Sequence, residues 1–151
     1  MATTALIRTA IAADFGDITI ANGFELDLAV VYTEPEDITK RQFPSIALVP
    51  DEGGESVVEQ LTNRTGKAEQ WFEAELFVKS ATPHADVQKL LDSARNAVER
   101  STSATWAVAG VMQVDAADWE RIGLTNDFIS NGYAAFALGI RVEYSYTRGA
   151  V

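Results

Sequence analysis

Cysteine is absent from this sequence of 151 residues, and histidine occurs once, as His84. The first absence excludes disulfides and thiolate metal centres and leaves the redox compartment open. Proline is held to four residues and glycine to ten, which excludes a collagen-like or Gly/Pro-rich low-complexity chain. Long apolar runs are missing as well. Residues 1–15 carry Arg8 in their middle and no continuous apolar stretch, which argues against a signal peptide or a membrane span. Basic residues are in short supply, 12 Lys and Arg against 22 Asp and Glu, giving a formal charge of −10. Scattered cations on so acidic a chain argue against nonspecific nucleic-acid binding, which needs clustered Lys and Arg to neutralise phosphates. They do not exclude a surface past which DNA slides, because like charge repels the phosphate backbone.

What is there is a globular composition, 47% apolar and 23% charged, in a length that suits one domain over residues 1–151. Thr3 or Thr4 caps a first helix whose apolar residues Leu6, Ile7, Ala10, Ile11 and Phe15 share one face, with Gly16 at its end. After the turn signal Asn22-Gly23, strict alternation sets Phe24, Leu26, Leu28, Val30 and Tyr32 against Glu25 and Asp27 and predicts a strand. Residues 33–42 read as a loop. Phe43-Pro44 then opens a short buried strand over 46–49, closed by Pro50, and residues 51–55 read as an acidic turn or loop. Residues 56–62 and 67–79, joined through Asn63-Arg64-Thr65-Gly66, read as a hairpin.

In the second hairpin strand Phe72, Ala74, Leu76 and Val78 belong to the core, while Trp71, Glu73, Glu75 and Phe77 form the opposite face. Thr82 and Pro83 begin a helix to Arg100 with Val87, Leu90, Leu91, Ala94, Ala97 and Val98 at three- and four-residue spacing. Residues 101–105 read as a linker, 106–114 as a strand or a loop, 118–123 as the opening of another strand and 124–132 as a turn. Residues 133–148 alternate throughout, with Phe136, Leu138, Ile140, Val142, Tyr144 and Tyr146 inward. The sum is an α+β fold, a mixed or antiparallel twisted sheet with two helices packed on one face.

No catalytic, cofactor-binding or metal-ligating set stands out among these residues, and the chain reads as a protein other than an enzyme. His84, at a helix start, reads as a surface or capping residue rather than a base. The carboxylates Glu34, Glu36 and Asp37, and Asp51, Glu52 and Glu55, match no calcium loop and read as solvated loops. Gly53-Gly54 lacks the Gly-Lys-Ser/Thr of a phosphate loop, and Asn63-Arg64-Thr65 reads as a turn before it reads as a glycosylation acceptor. Left over are Trp71 and Phe77 among Glu69, Glu73 and Glu75. Two large outward aromatics are either anchors of a subunit interface or covered by another part of the same chain.

In order and spacing these features resemble the tail terminator proteins of long-tailed phages and related minor tail and tail-completion proteins. The likeness is carried by the short N-terminal helix, Gly23-Phe24 leading into Asp27-Leu28 and Val31-Tyr32, and Phe43-Pro44-Ser45-Ile46 with the acidic stretch at 51–55. It continues through the hairpin strand ending at Lys79, the helix over 83–100, and the finish Val142-Glu143-Tyr144-Ser145-Tyr146-Thr147-Arg148. It spans nearly the whole chain and departs at 102–117, which is longer and more apolar than the family pattern.

The resemblance implies a virion protein, assembled in the host cytoplasm, that closes into a ring, expected to be a hexamer, on the head-proximal end of the tail tube. There it would stop tube growth and meet the head–tail connector, with DNA passing through the hole without specific binding, no cofactor and no membrane. In that setting Trp71 and Phe77 are the candidate subunit interface, Glu69, Glu73 and Glu75 the candidate lumen or surface carboxylates, and Asp51, Glu52 and Glu55 the candidate tube- or connector-facing loop. The alternatives are a head-completion or tail-tube subunit, and a small-ligand-binding domain whose cleft is lined by Trp106, Trp119 and Tyr133.

Overall fold

The computed structural model describes the backbone of residues 4–34, 40–60, 65–100, 111–121, 124 and 126–147. In chain order these form α1 (Thr4–Gly16), a 3-10 turn (Ile20–Asn22), β1 (Val30–Tyr32), β2 (Ser45–Gln60), β3 (Thr65–Lys79), α2 (Pro83–Glu99), β4 (Val111–Arg121), the short helix α3 (Asn126–Ser130) and β5 (Tyr133–Thr147). The strands make one five-stranded sheet in the order β1-β2-β3-β5-β4. β1 runs parallel to β2 and every other pairing is antiparallel, so the sheet is mixed and the fold is α+β.

β3 and β5 form the spine, paired without a break from Thr65↔Thr147 to Lys79↔Tyr133. Because side chains alternate, this register puts Ala68, Phe72, Ala74, Leu76 and Val78 on the same face as Ala134, Leu138, Ile140, Val142 and Tyr144. All ten are buried, and large meets small across the ladder, as in Tyr144 opposite Ala68 and Leu138 opposite Ala74. Ile46 and Leu48 of β2 extend the face.

Both long helices cover that face. α2 lays down Val87, Leu90, Leu91, Ala94, Ala97 and Val98, all buried. α1 contributes Ile7, Ala10, Ile11 and Phe15. Leu6 does not join them and is 50% exposed. At about 100° per residue it lies about 110° from the centre of the buried stripe, outside the arc the sheet reaches.

The strand expected over 24–32 is shorter in the structure. Its alternation holds, with Phe24 buried, Leu26 and Leu28 packed against the core, and Glu25 and Asp27 exposed. Its amides, however, are used elsewhere. Phe24 N donates to Thr19 O and Leu28 N to Ile18 O, while Asp27 Oδ1 accepts from Ile20 N, so this stretch docks on the turn after α1 and only Val30–Tyr32 reaches the ladder. Gly23 makes the bend with φ of 90°, the left-handed conformation that glycine adopts without a Cβ clash.

Pro50 does not close β2, and residues 51–55 are not a separate loop. β2 continues to Gln60, but between Pro50↔Phe72 and Glu55↔Gln70 it takes five steps to β3's two, a bulge of three extra residues. β1 accompanies β2 only to Ala47, so Pro50 sits where no described strand needs its missing amide hydrogen on that side. Further on, the division into 106–114 and 118–123 is replaced by the single strand β4, and the expected turn over 124–132 contains α3. Residues 101–110, the linker and Trp106 among them, lie outside the described residues, as do Glu36, Asp37, Asn63 and Arg64.

Candidate functional site

With both long helices on one side, the opposite face of the sheet is built from the other parity of β3 and β5. Along β3 it carries Lys67, Glu69, Trp71, Glu73, Glu75, Phe77 and Lys79, opposite Ser145, Glu143, Arg141, Gly139, Ala137, Ala135 and Tyr133 in turn. The residues singled out on β3 therefore do share one face, and the structure divides that face into two unlike halves.

At one end the face is covered by the chain itself. Phe77 is 6% exposed, because the guanidinium of Arg41 lies 4.4 Å from its ring centroid and 5.7 Å from that of Tyr32. Phe43 meets Tyr133 edge-on at 5.3 Å, and Phe128 of α3 meets the same ring at 5.2 Å. Lys79 Nζ stands 4.9 Å from that ring. Of the two alternatives for these aromatics, cover by another part of the same chain describes Phe77, and of the two only Trp71 is left part-exposed.

The other end is polar and partly open. Trp71 lies directly across from Arg141, and Glu69 directly across from Glu143. Two carboxylates facing each other across a ladder repel. Arg141 offsets this by donating from Nε to Glu69 Oε2 at 2.5 Å and from Nη2 to Glu143 Oε2 at 2.8 Å. The three side chains are 17–25% exposed. The hydrogen bond to Glu143, then that to Glu69, raises the Arg141 pKa above the ordinary arginine value. Of the three candidate lumen or surface carboxylates, Glu69 is thus tied to a cation of its own chain, while Glu73 and Glu75 stand half-buried opposite Gly139 and Ala137.

Other expected sites are scattered. Asp51, Glu52 and Glu55 lie in the bulged part of β2, and Trp119 falls at a register shift in β4; the side chains of all four lie outside the described residues. Tyr133 belongs to the aromatic cluster just described. A cleft of about 250 Å³ lies elsewhere, lined by Leu26, Pro44, Val78, Asp27, Lys79 and Asp86 among others. Its carboxylates already have structural work: Asp27 accepts from Ile20 N, and Asp86 from the Ser80 and Thr82 hydroxyls. His84 is exposed in the first turn of α2. Among the described residues no group of three or more His, Asp or Glu is placed to hold a metal ion, and no helix is long and apolar enough to cross a membrane.

Sequence reasoning missed Arg141, Glu143 and Arg41. For the first two the signal was present, since alternation places both outside the core, but only the β3–β5 register shows that they meet Glu69 and Trp71. Arg41 carried none, because its partner Phe77 is 36 positions away in an unrelated pattern. What the half-open face offers is contact: an indole beside a guanidinium fixed by two carboxylates, a combination typical of well-anchored protein surfaces. No family model matches the chain, and no curated protein matches it either.

Proposed function

We propose that this chain is a structural virion subunit that closes into a hexameric ring on the head-proximal end of a phage tail tube, ending tube growth and presenting the surface that joins the head–tail connector. The observation that carries this reading is the sheet face left uncovered by both long helices, with Trp71 at its centre beside the Arg141, Glu69 and Glu143 cluster. A ring needs a contact that repeats with rotation until it closes, and a half-open aromatic patch with a polar rim suits one side of such a contact.

Glu73 and Glu75, further along the same face, form the rim toward the hole. There, with a formal charge of −10 on each subunit, carboxylates repel phosphate and let DNA slide. The deciding experiment is the mass of the purified protein in solution beside electron micrographs of the same sample. Discrete rings with an axial hole are expected. Open-ended tubes would assign the chain to the tube instead, a monodisperse monomer at all concentrations would remove the assembly reading, and a hole lined mainly by Lys and Arg would remove the role given to the carboxylates.

A further inference from the structure

We propose that residues 40–43 are a latch, covering one end of the assembly face in the isolated subunit and lifting when a second copy docks. The docking half of this statement rests on the assembly reading above; the latch itself rests on the packing around Phe77.

By register Phe77 belongs to the same face as Trp71, yet it is almost wholly buried, and the group lying over its ring is Arg41. The segment is fastened by side-chain contacts. Arg41 stacks over Phe77 and lies near Tyr32, Gln42 N donates to Tyr32 Oη at 3.0 Å, and Phe43 meets Tyr133 edge-on. At its base the Ala29 amide donates to Pro44 O, next to the β1–β2 ladder. Phe77, Tyr133 and Ser45 are on the face away from α1 and α2, so residues 40–43 can lift about Pro44, which stays beside Leu26 and Val78, without opening the core.

Beneath it, Ser45 sits directly across from Phe77, fully buried, with an Oγ that has no hydrogen-bond partner. A buried hydroxyl without a partner opposes the closed state and favours one in which water or a partner atom reaches it. Around it the floor is made of small residues, Ala47, Ala135 and Ala137, each no more than 5% exposed. Lifting the segment bares Phe77 on this shallow floor, on the same face of β3 as Trp71 and separated from it by Glu73 and Glu75. A closed state lying over an unsatisfied buried group is the arrangement in which a docking copy shifts the balance.

The test compares the wild type with Arg41→Ala, Tyr32→Phe and the double variant Arg41→Ala/Phe77→Ala by mass in solution across concentration, binding of an apolar fluorescent dye, and thermal melting. Both single variants are expected to bind more dye and to assemble at a lower concentration, about tenfold lower for Arg41→Ala, the change that loss of one desolvated cation–π contact corresponds to, and by a smaller factor for Tyr32→Phe, which keeps the ring and loses only the hydroxyl that accepts from Gln42 N. The added Phe77→Ala should abolish both gains. Dye binding and assembly equal to wild type in both single variants overturn the latch. Should Arg41→Ala unfold, Tyr32→Phe, which removes one hydroxyl, decides alone. If every variant and the wild type stay monomeric, the assembly reading has failed, and the dye result still judges the latch: a gain that depends on Phe77 supports it, and no gain ends it.

Discussion

Ile140 sits in the middle of the spine, fully buried and opposite Phe72, with α2 packed over the same face. Ile140→Ala removes methyl groups from a close-packed site that the rigid ladder keeps from collapsing, and urea unfolding should register a loss of about 2–5 kcal/mol. Leu91→Ala on α2 should fall in the same range, since Leu91 is 4% exposed. Positions of this kind were legible in the sequence, because which residues of β3, β5 and α2 face the core between helices and sheet follows from periods of two and 3.6. Arg141 was not, since its role depends on which residues stand opposite. Arg141→Met leaves Glu69 and Glu143 facing each other, and should cost about 0.5–2 kcal/mol in urea. Adding Glu69→Gln and Glu143→Gln to that variant should recover part of the loss; no recovery would mean that the arginine acts through packing and not through the pair. Because its pKa is raised, the arginine's own contribution is complete at every pH below the ordinary arginine range and fades only as pH climbs through the folded value, so the Arg141→Met loss should show no arginine-linked change near neutrality.

Among the elements, those whose sequence pattern and hydrogen bonding agree came out as expected, and the others differ for traceable reasons. α2 and the β3 and β5 strands have caps, turns and alternation that point one way. The stretch 24–32 alternates like a strand, yet the Thr19 and Ile18 carbonyls capture the Phe24 and Leu28 amides that a ladder needs, and the Asp27 carboxylate ties the stretch to Ile20 N of the preceding turn. β2 runs through Pro50 because proline is tolerated where no described neighbour lies on one side, something a proline rule applied without topology does not anticipate. The start of α2 also differs in detail. Thr82 occupies the cap position without a side-chain hydrogen bond to a backbone amide of the helix; instead the Asp86 carboxylate gathers the hydroxyls of Ser80 and Thr82, and the Ser80 hydroxyl accepts from Thr82 N. A carboxylate in the first turn also complements the helix dipole. Asp86→Ala should therefore destabilise the protein by about 1 kcal/mol in urea unfolding, whereas Thr82→Ala should cost less. The reverse order would place the capping function back on Thr82.

For the whole molecule, the question is whether the uncovered half-face is there to meet a neighbour. Trp71 is the residue that separates folding from assembly, because it stands on the side of β3 away from the helices and so contributes little to the core that Phe72 and Leu76 fill. If that face is a subunit contact, Trp71→Ala leaves the melting transition of the monomer nearly in place and raises the concentration needed for rings by one to several orders of magnitude, since truncating a central interface tryptophan costs about 2–4 kcal/mol and each 1.4 kcal/mol is tenfold. If the indole only stiffens the sheet, the same change lowers the melting temperature and leaves the concentration for ring formation where it was. Phe77→Ala gives the contrast in the isolated subunit: Phe77 sits on the same strand and face but is covered by Arg41, so its truncation should cost folding stability that Trp71→Ala does not, whatever it does to assembly. Mass in solution and a thermal melt, measured on both variants side by side, distinguish a surface that binds from a surface that merely folds.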